Sequence, residues 1–149
     1  MTELEIGRYR LAVNEEETAR QYAALPPYAG SDVGVRLFRH CLKKLALEDE
    51  AFLRSLGIDP AKLFAARPLA EPDEKGEALF LCACRLCGTL LCPEESPRRS
   101  VVKGGLQLTF TGDRRCFTPS LADFPAPELE MRFVASLPFD PDYLKELFL

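Results

Sequence analysis

The chain has 149 residues, the length of one domain, enough to bury about 70% of the surface its unfolded form exposes. A composition of 47% hydrophobic and 28% charged residues excludes wholesale disorder, collagen-like repeats and coiled-coil arrays. The formal net charge of −4 is no more than solubility requires and names no partner.

Residues 1–10 carry Glu3 and Glu5 and no apolar run of the signal-peptide kind, so no secretory leader is expected. Residues 4–13 read as a strand. Asn14 with Glu17 three positions on forms a capping pair, and Glu15, Glu16 and Glu17 fill the first turn, where a helix dipole favours acids. The helix they open must end before Pro26-Pro27. Val33, Leu37, Phe38, Cys41, Leu42 and Leu45 then recur at helical spacing behind Ser31 as cap, which predicts an amphipathic helix over 31–47. A further helix over 49–56 stops at Gly57, suited to a left-handed position, with Ile58 meeting Leu53 in a Schellman-type end. Asp59-Pro60 caps a short turn that reaches about Ala66.

Residues 67–77 are charged and hold two prolines, which marks an exposed loop between a helical half and a strand half. Each half alone is near the size at which a core becomes marginal, so residues 1–149 read as one α+β domain. Residues 78–87 are apolar on both faces, as in a central strand covered on both sides. Leu106, Leu108 and Phe110 alternate with Gln107, Thr109 and Thr111, and Leu129, Met131, Phe133, Ala135 and Leu137 alternate with Glu130, Arg132, Val134 and Ser136. These two strands should each turn one face to a core. Asp140-Pro141 starts a last helix on which Tyr143, Leu144, Leu147 and Phe148 share a face. The expected fold is α+β, with a helical amino-terminal half packed on a mainly antiparallel sheet of three to five strands and a short carboxy-terminal helix. The longest unbroken apolar run, residues 78–84, falls far short of the roughly 20 residues of a membrane helix, so no membrane association is expected.

Six cysteines are too few for a disulfide scaffold, and with no leader the thiols are expected to stay reduced in the cytoplasm. Cys82, Cys84, Cys87 and Cys92 follow a C-x-C-x2-C-x4-C spacing. The Cys84–Cys87 pair followed by Gly88 is able to aim two thiolates at one tetrahedral Zn²⁺, with Cys92 and either Cys82 or Cys116 completing the set. The competing reading is core packing beside Phe80 and Leu86. The two are distinguished by the backbone: a zinc knuckle needs a turn at Arg85-Leu86, and a strand that continues through Cys87 forbids it.

Cys92 and Arg98 have the C-x5-R spacing of a phosphate-binding loop. The intervening residues, with two prolines, two glutamates and no glycine, deny it the free N–H groups and positive potential that a phosphate needs. His40, the one histidine, falls on the polar side of its helix and reads as a solvated surface residue. No phosphate-binding glycine loop, dinucleotide fingerprint or zincin motif is present. Positive charge is segregated into two sets: Arg36, Arg39, Lys43 and Lys44, and Arg98, Arg99, Lys103, Arg114 and Arg115. Both are expected to contact a macromolecular partner. The stretch from Lys103 to Phe110 begins like an RNA-binding motif but lacks the aromatics that would stack on bases.

Together these features point first to a non-catalytic cytosolic interaction protein, a small regulator or inhibitor, that binds a larger protein partner through the basic helix face and the 93–99 loop. One alternative is a zinc-stabilised nucleic-acid-binding module, in which the cysteine cluster holds the basic loops and the single structural zinc is the only cofactor. The other is a cysteine-dependent enzyme using Cys92 or Cys87.

Overall fold

Gly7 splits the amino-terminal strand in two. Its φ of +58°, at the first of two loop residues, suits a tight hairpin turn, so β1 (Thr2–Ile6) and β2 (Tyr9–Val13) pair antiparallel instead of running on as one strand. The computed structural model describes residues 1–63, 65–94, 98–119 and 121–147, with the side chains of Leu144 and Leu147 outside the described set. Helix α1 (Glu15–Ala24) opens on Asn14, whose side chain accepts the Glu17 N–H at 3.0 Å. Helix α2 (Val33–Cys41) is capped by Asp32, one residue beyond the expected Ser31, and runs into a single 3-10 turn over Leu42–Lys44.

Helix α3 (Leu47–Ser55) ends as its sequence implies. The Ile58 N–H reaches the Leu53 carbonyl at 3.1 Å, the Gly57 N–H reaches Arg54 at 2.9 Å, and Gly57 has a φ of +88°. This is the Schellman pattern, and Leu53 and Ile58 are both fully buried beside it. After a 3-10 turn over Pro60–Lys62 the chain is already strand: β3 (Ala65–Pro68) takes Arg67 and Pro68 out of the expected loop, which remains exposed through Gly76.

The rest is sheet, with β4 (Glu77–Leu90), β5 (Val101–Lys103), β6 (Leu106–Thr111) and β7 (Glu128–Pro138), and a short closing helix α4 (Pro141–Leu147). The molecule is thus an α+β fold whose amino-terminal helices pack on an antiparallel sheet. That sheet has seven strands, more than the three to five expected, in the order β1-β2-β4-β7-β6-β5 with β3 also paired to β4. The extra strands come from the two hairpins and from β3.

Strand β4 is the hub. One edge pairs with β7 over eleven positions, from Glu77↔Pro138 to Cys87↔Glu128. The other edge is shared: β3 pairs up to Ala83, and β2 begins at Gly88. Helix α1 closes the gap between them. The Tyr22 O–H donates to the Arg85 carbonyl at 2.9 Å, Thr18 Oγ1 accepts the Cys87 N–H at 3.0 Å, and the Asn14 N–H donates to the Cys87 carbonyl at 2.8 Å. Two buried side chains one helical turn apart thereby do the work of a strand edge, as buried backbone polar groups require.

The sheet curls around its core. Tyr9 on β2 meets Phe110 on β6 edge-on at 5.1 Å and donates its O–H to the Arg99 carbonyl at 2.7 Å. Gly7 approaches β5 so closely that a Cβ there would lie 2.6 Å from a methyl of Val101. The inner face of the sheet carries Phe80, Cys82, Cys84, Leu86, Leu108, Phe110, Met131 and Phe133, all buried, and Phe38 of α2 packs edge-on against Phe80 at 5.7 Å. Each large side chain so buried contributes about 1.5–3 kcal/mol. The outer face is divided. The connection 112–127 lies over one end of it, and the other end is open. The apolar pattern of residues 78–87 therefore has cover on one side only at Leu79, which is 47% exposed.

Candidate functional site

The first basic set lies where the sequence places it, on the side of α2 away from the core. Arg36, Arg39, His40 and Lys43 occupy i, i+3, i+4 and i+7 positions, one continuous stripe. Arg36, Arg39 and His40 line a cleft of about 620 Å³ with Tyr28, Ser31 and Tyr143, and Lys43 and Lys44 line an adjoining cleft of about 300 Å³ that shares His40. Arg39 Nη1 donates to the Tyr28 carbonyl at 3.0 Å, which folds the segment before α2 back onto the helix. Among the described residues, none of Arg36, Arg39, Lys43 and Lys44 has a carboxylate partner within 4 Å.

His40 is not the solvated residue its polar position suggests. Its side chain is 22% exposed, its Nε2 is 2.8 Å from Asp140 Oδ2, and its ring stacks on Tyr143 with centroids 3.8 Å apart and planes 4° from parallel. Asp140 also caps α4, its Oδ1 accepting the N–H groups of Asp142 and Tyr143 at 3.1 and 3.3 Å. The bond to His40 first, and those two amides next, hold the Asp140 carboxyl below the usual carboxylate range. Of the apolar face expected to dock α4, Tyr143 packs against the core and stacks on His40; the side chains of Leu144 and Leu147, and Phe148, lie outside the described set.

Three of the five cations of the second basic set are ion-paired in place. Arg115 pairs with Asp113 at 2.9 Å, Arg98 with Glu94 at 3.4 Å, and Arg114 with Glu128 at 3.2 Å. Arg98 also donates to Thr111 Oγ1 at 3.1 Å, Lys103 sits over the Phe52 ring at 5.8 Å, and the Arg99 carbonyl is taken by Tyr9. Arg114 lines a different cleft from the α2 stripe, with Cys92, Glu94, Asp113 and Glu128. Glu95, Ser96 and Pro97 of the 93–99 loop lie outside the described residues.

The expected zinc cluster does not assemble. β4 continues through Cys87 to Leu90, so no knuckle forms at Arg85-Leu86, and Cys84 and Cys87, three apart on a strand, point to opposite faces. Cys82 and Cys84 are fully buried on the inner face, Cys92 lies beyond the end of β4, and Cys116 stands beside the Arg98 guanidinium. Among the described residues no group of three histidine, cysteine or acidic side chains is arranged to hold a metal ion. Burial raises the thiols of Cys41, Cys82, Cys84 and Cys87 above their ordinary value. This disfavours the thiolate that a nucleophile at Cys87 needs.

Sequence reading missed an ionic network under the 112–127 connection. Arg85, Glu128 and Glu130 are buried side by side on the outer face of β4 and β7, their side chains 3%, 1% and 0% exposed. Glu130 accepts the Thr118 N–H at 2.8 Å and the Arg132 Nε at 3.0 Å, and Glu128 accepts the Phe124 N–H at 2.9 Å. Arg85 donates to the Thr118 carbonyl at 2.8 Å beneath the Phe117 ring, 4.3 Å away, and Arg132 donates to the Cys116 carbonyl at 2.9 Å. Arg85, Arg114 and Arg132 balance Asp123, Glu128 and Glu130, and four of the hydrogen bonds end on the backbone of the connection. The network is a clasp for that connection. Its one sequence signal was the length of the segment between β6 and β7, with Phe117 and Phe124 available to cover something.

Comparison of the chain with protein-family models, curated proteins and solved structures gives no match. Among the described residues no helix is long and apolar enough to cross a membrane.

Proposed function

We propose that this chain is a non-catalytic interaction protein that recognises an acidic segment of a larger protein through the basic stripe of α2. The observation that carries the reading is the contrast between the two basic sets. Arg98, Arg114 and Arg115 are ion-paired within the fold, whereas Arg36, Arg39, Lys43 and Lys44 line two adjoining clefts that share His40. Cations with no carboxylate partner among the described residues, set along a concave surface, supply the complementary potential that steers and registers an acidic partner. Arg36 and Arg39 are spaced to meet successive carboxylates of an extended segment, and the guanidinium fork favours bidentate contact.

Fluorescence anisotropy with a labelled poly-glutamate peptide tests the reading. Binding is expected to weaken at least about tenfold on charge reversal by Arg36→Glu with Lys43→Glu, and again as salt rises from about 50 to about 500 mM. Reversal by Arg98→Glu with Arg115→Glu is expected to leave it within about twofold, because those charges are already matched. Equal sensitivity of both sets overturns the assignment to α2. Tighter binding to a DNA duplex than to the peptide, with a steep linear dependence on the logarithm of salt, transfers the surface to nucleic acid.

A further inference from the structure

The open end of the sheet's outer face is the molecule's other unexplained surface, and it is separate from the α2 clefts. The register places Arg67, Leu81, Val134, Gln107 and Val102 in one row across five strands, β3 to β5. Leu79 follows one step along β4, and Leu69 lies beside it, its N–H bonded to the Leu79 carbonyl at 2.8 Å. Val33, at the start of α2, lines the cleft of about 690 Å³ at the other end with Leu81, Arg67 and Arg132. Among the described residues the exposed large hydrophobic side chains are Met1, Val33, Leu47, Leu69, Leu79 and Val102; four of these six belong to this one face. Soluble domains scatter such residues singly, and a cluster on one face marks a contact surface.

The charges at its two ends identify the occupant. Arg67 stands at the Leu81 row; at the Ala83 row Arg132, whose Nε is held by Glu130 at 3.0 Å, keeps its side chain 42% exposed. Beyond Leu79, at the opposite end, come Glu77 and the β3–β4 loop, in which Glu71, Asp73 and Glu74 outnumber Lys75. An apolar centre with opposite charges at its two ends is complementary to itself under a two-fold rotation, as an isologous contact demands. With the axis lying in the interface, across the strands between the Leu79 and Leu81 rows, Leu79 of each copy falls over Leu81 of the other. The Glu77 end of each then meets the Arg132 end of its partner. We infer that this face is the interface of a homodimer, formed by packing the outer sheet faces of two copies with β4 against β4, strands aligned and antiparallel in the manner of a β-sandwich.

Sedimentation velocity on the full chain, from about 5 to about 500 μM, reads the result directly. A concentration-dependent shift from 16.7 kDa toward twice that mass is expected. Leu79→Lys is expected to weaken the dimer at least tenfold, about 1.4 kcal/mol. Glu77→Lys, which sets like charges against Arg132, should weaken it by a similar factor, and Leu47→Lys, 84% exposed on α3, should leave it unchanged. Val102→Lys, at a position 73% exposed, repeats the test should Leu79→Lys disturb the fold. A monomer at every concentration overturns the inference, as does a dimer indifferent to Leu79→Lys, Val102→Lys and Glu77→Lys. Either result leaves the α2 reading standing, because peptide binding is measured on another surface.

Discussion

The two faces of β4 hold their neighbours by different means. On the inner face Phe80, Cys82, Cys84 and Leu86 are held mainly by apolar contact, with the Cys84 thiol also donating to the Met131 carbonyl at 3.4 Å, so stability there follows buried area and a loss of volume is costly. On the outer face Arg85, between two buried glutamates, holds an irregular connection by directed bonds to its backbone. Apolar contact fixes regular elements that already satisfy their own hydrogen bonds, whereas residues 112–127 have few such bonds of their own and need partners supplied to them. The difference teaches why a sheet would bury charge at all. A buried ion pair is weak evidence for stability, because desolvation opposes the attraction; here the pairs also satisfy backbone groups that would otherwise be stranded.

The sharpest break of this comparison is a truncation on the inner face. Phe80→Ala is expected to cost about 3–5 kcal/mol in urea unfolding, as for a large core side chain that leaves a cavity. Leu79→Ala, its neighbour on the open side, should change the stability of the monomer, measured in dilute solution, by no more than about 0.5 kcal/mol. On the clasped part of the outer face, Glu130→Ala strands Arg85 without its nearest buried charge and is expected to cost about 3 kcal/mol. Combining it with Arg85→Met should cost clearly less than the two changes added separately; strict additivity would mean that the pair is not coupled.

A gentler probe is alkali. Burial holds the thiols of Cys82 and Cys84 protonated in the fold, so above roughly pH 9 the unfolded chain loses protons that the folded chain keeps. Stability must then fall with rising pH, by up to about 1.4 kcal/mol per pH unit for each such thiol. Replacement by Cys84→Ala should flatten the slope by one proton, as read from chemical denaturation at pH 8 to 10.

Much of this fold is legible in the sequence where the determinant is local. Asn14 capping α1, Gly57 ending α3 and the apolar stripe of α2 each depend on residues within a few positions. The alternation of β6 and β7 also identifies the correct inner faces. The hairpin at Gly7 was legible in principle, since Gly104, with a φ of +61°, turns β5 into β6 by the same device. The apolar positions also change phase at the first turn, from Leu4 and Ile6 to Tyr9, Leu11 and Val13. The ionic clasp was hidden for a deeper reason. Alternation reports that the two faces of β7 differ, not that the polar one is wet, and Glu128 and Glu130 are dry only because a distant segment folds over them. The same limit separates the two basic sets: sequence supplies their sign, while the Arg114–Glu128 pairing depends on tertiary structure.

The hub position of β4 also bears on how the chain reaches this state. Of its neighbours only β3 is close in sequence, and β7, which pairs along its other edge from Glu77 to Cys87, lies beyond β5, β6 and the clasped connection. A fourteen-residue, mostly apolar strand is therefore synthesised long before the strand that completes it. Pairings of such long range make folding slow. Until Glu128 and its successors emerge from the ribosome, the nascent protein presents an unpaired template to its neighbours. A nascent chain arrested before β7 should therefore be the species that chaperones bind most strongly.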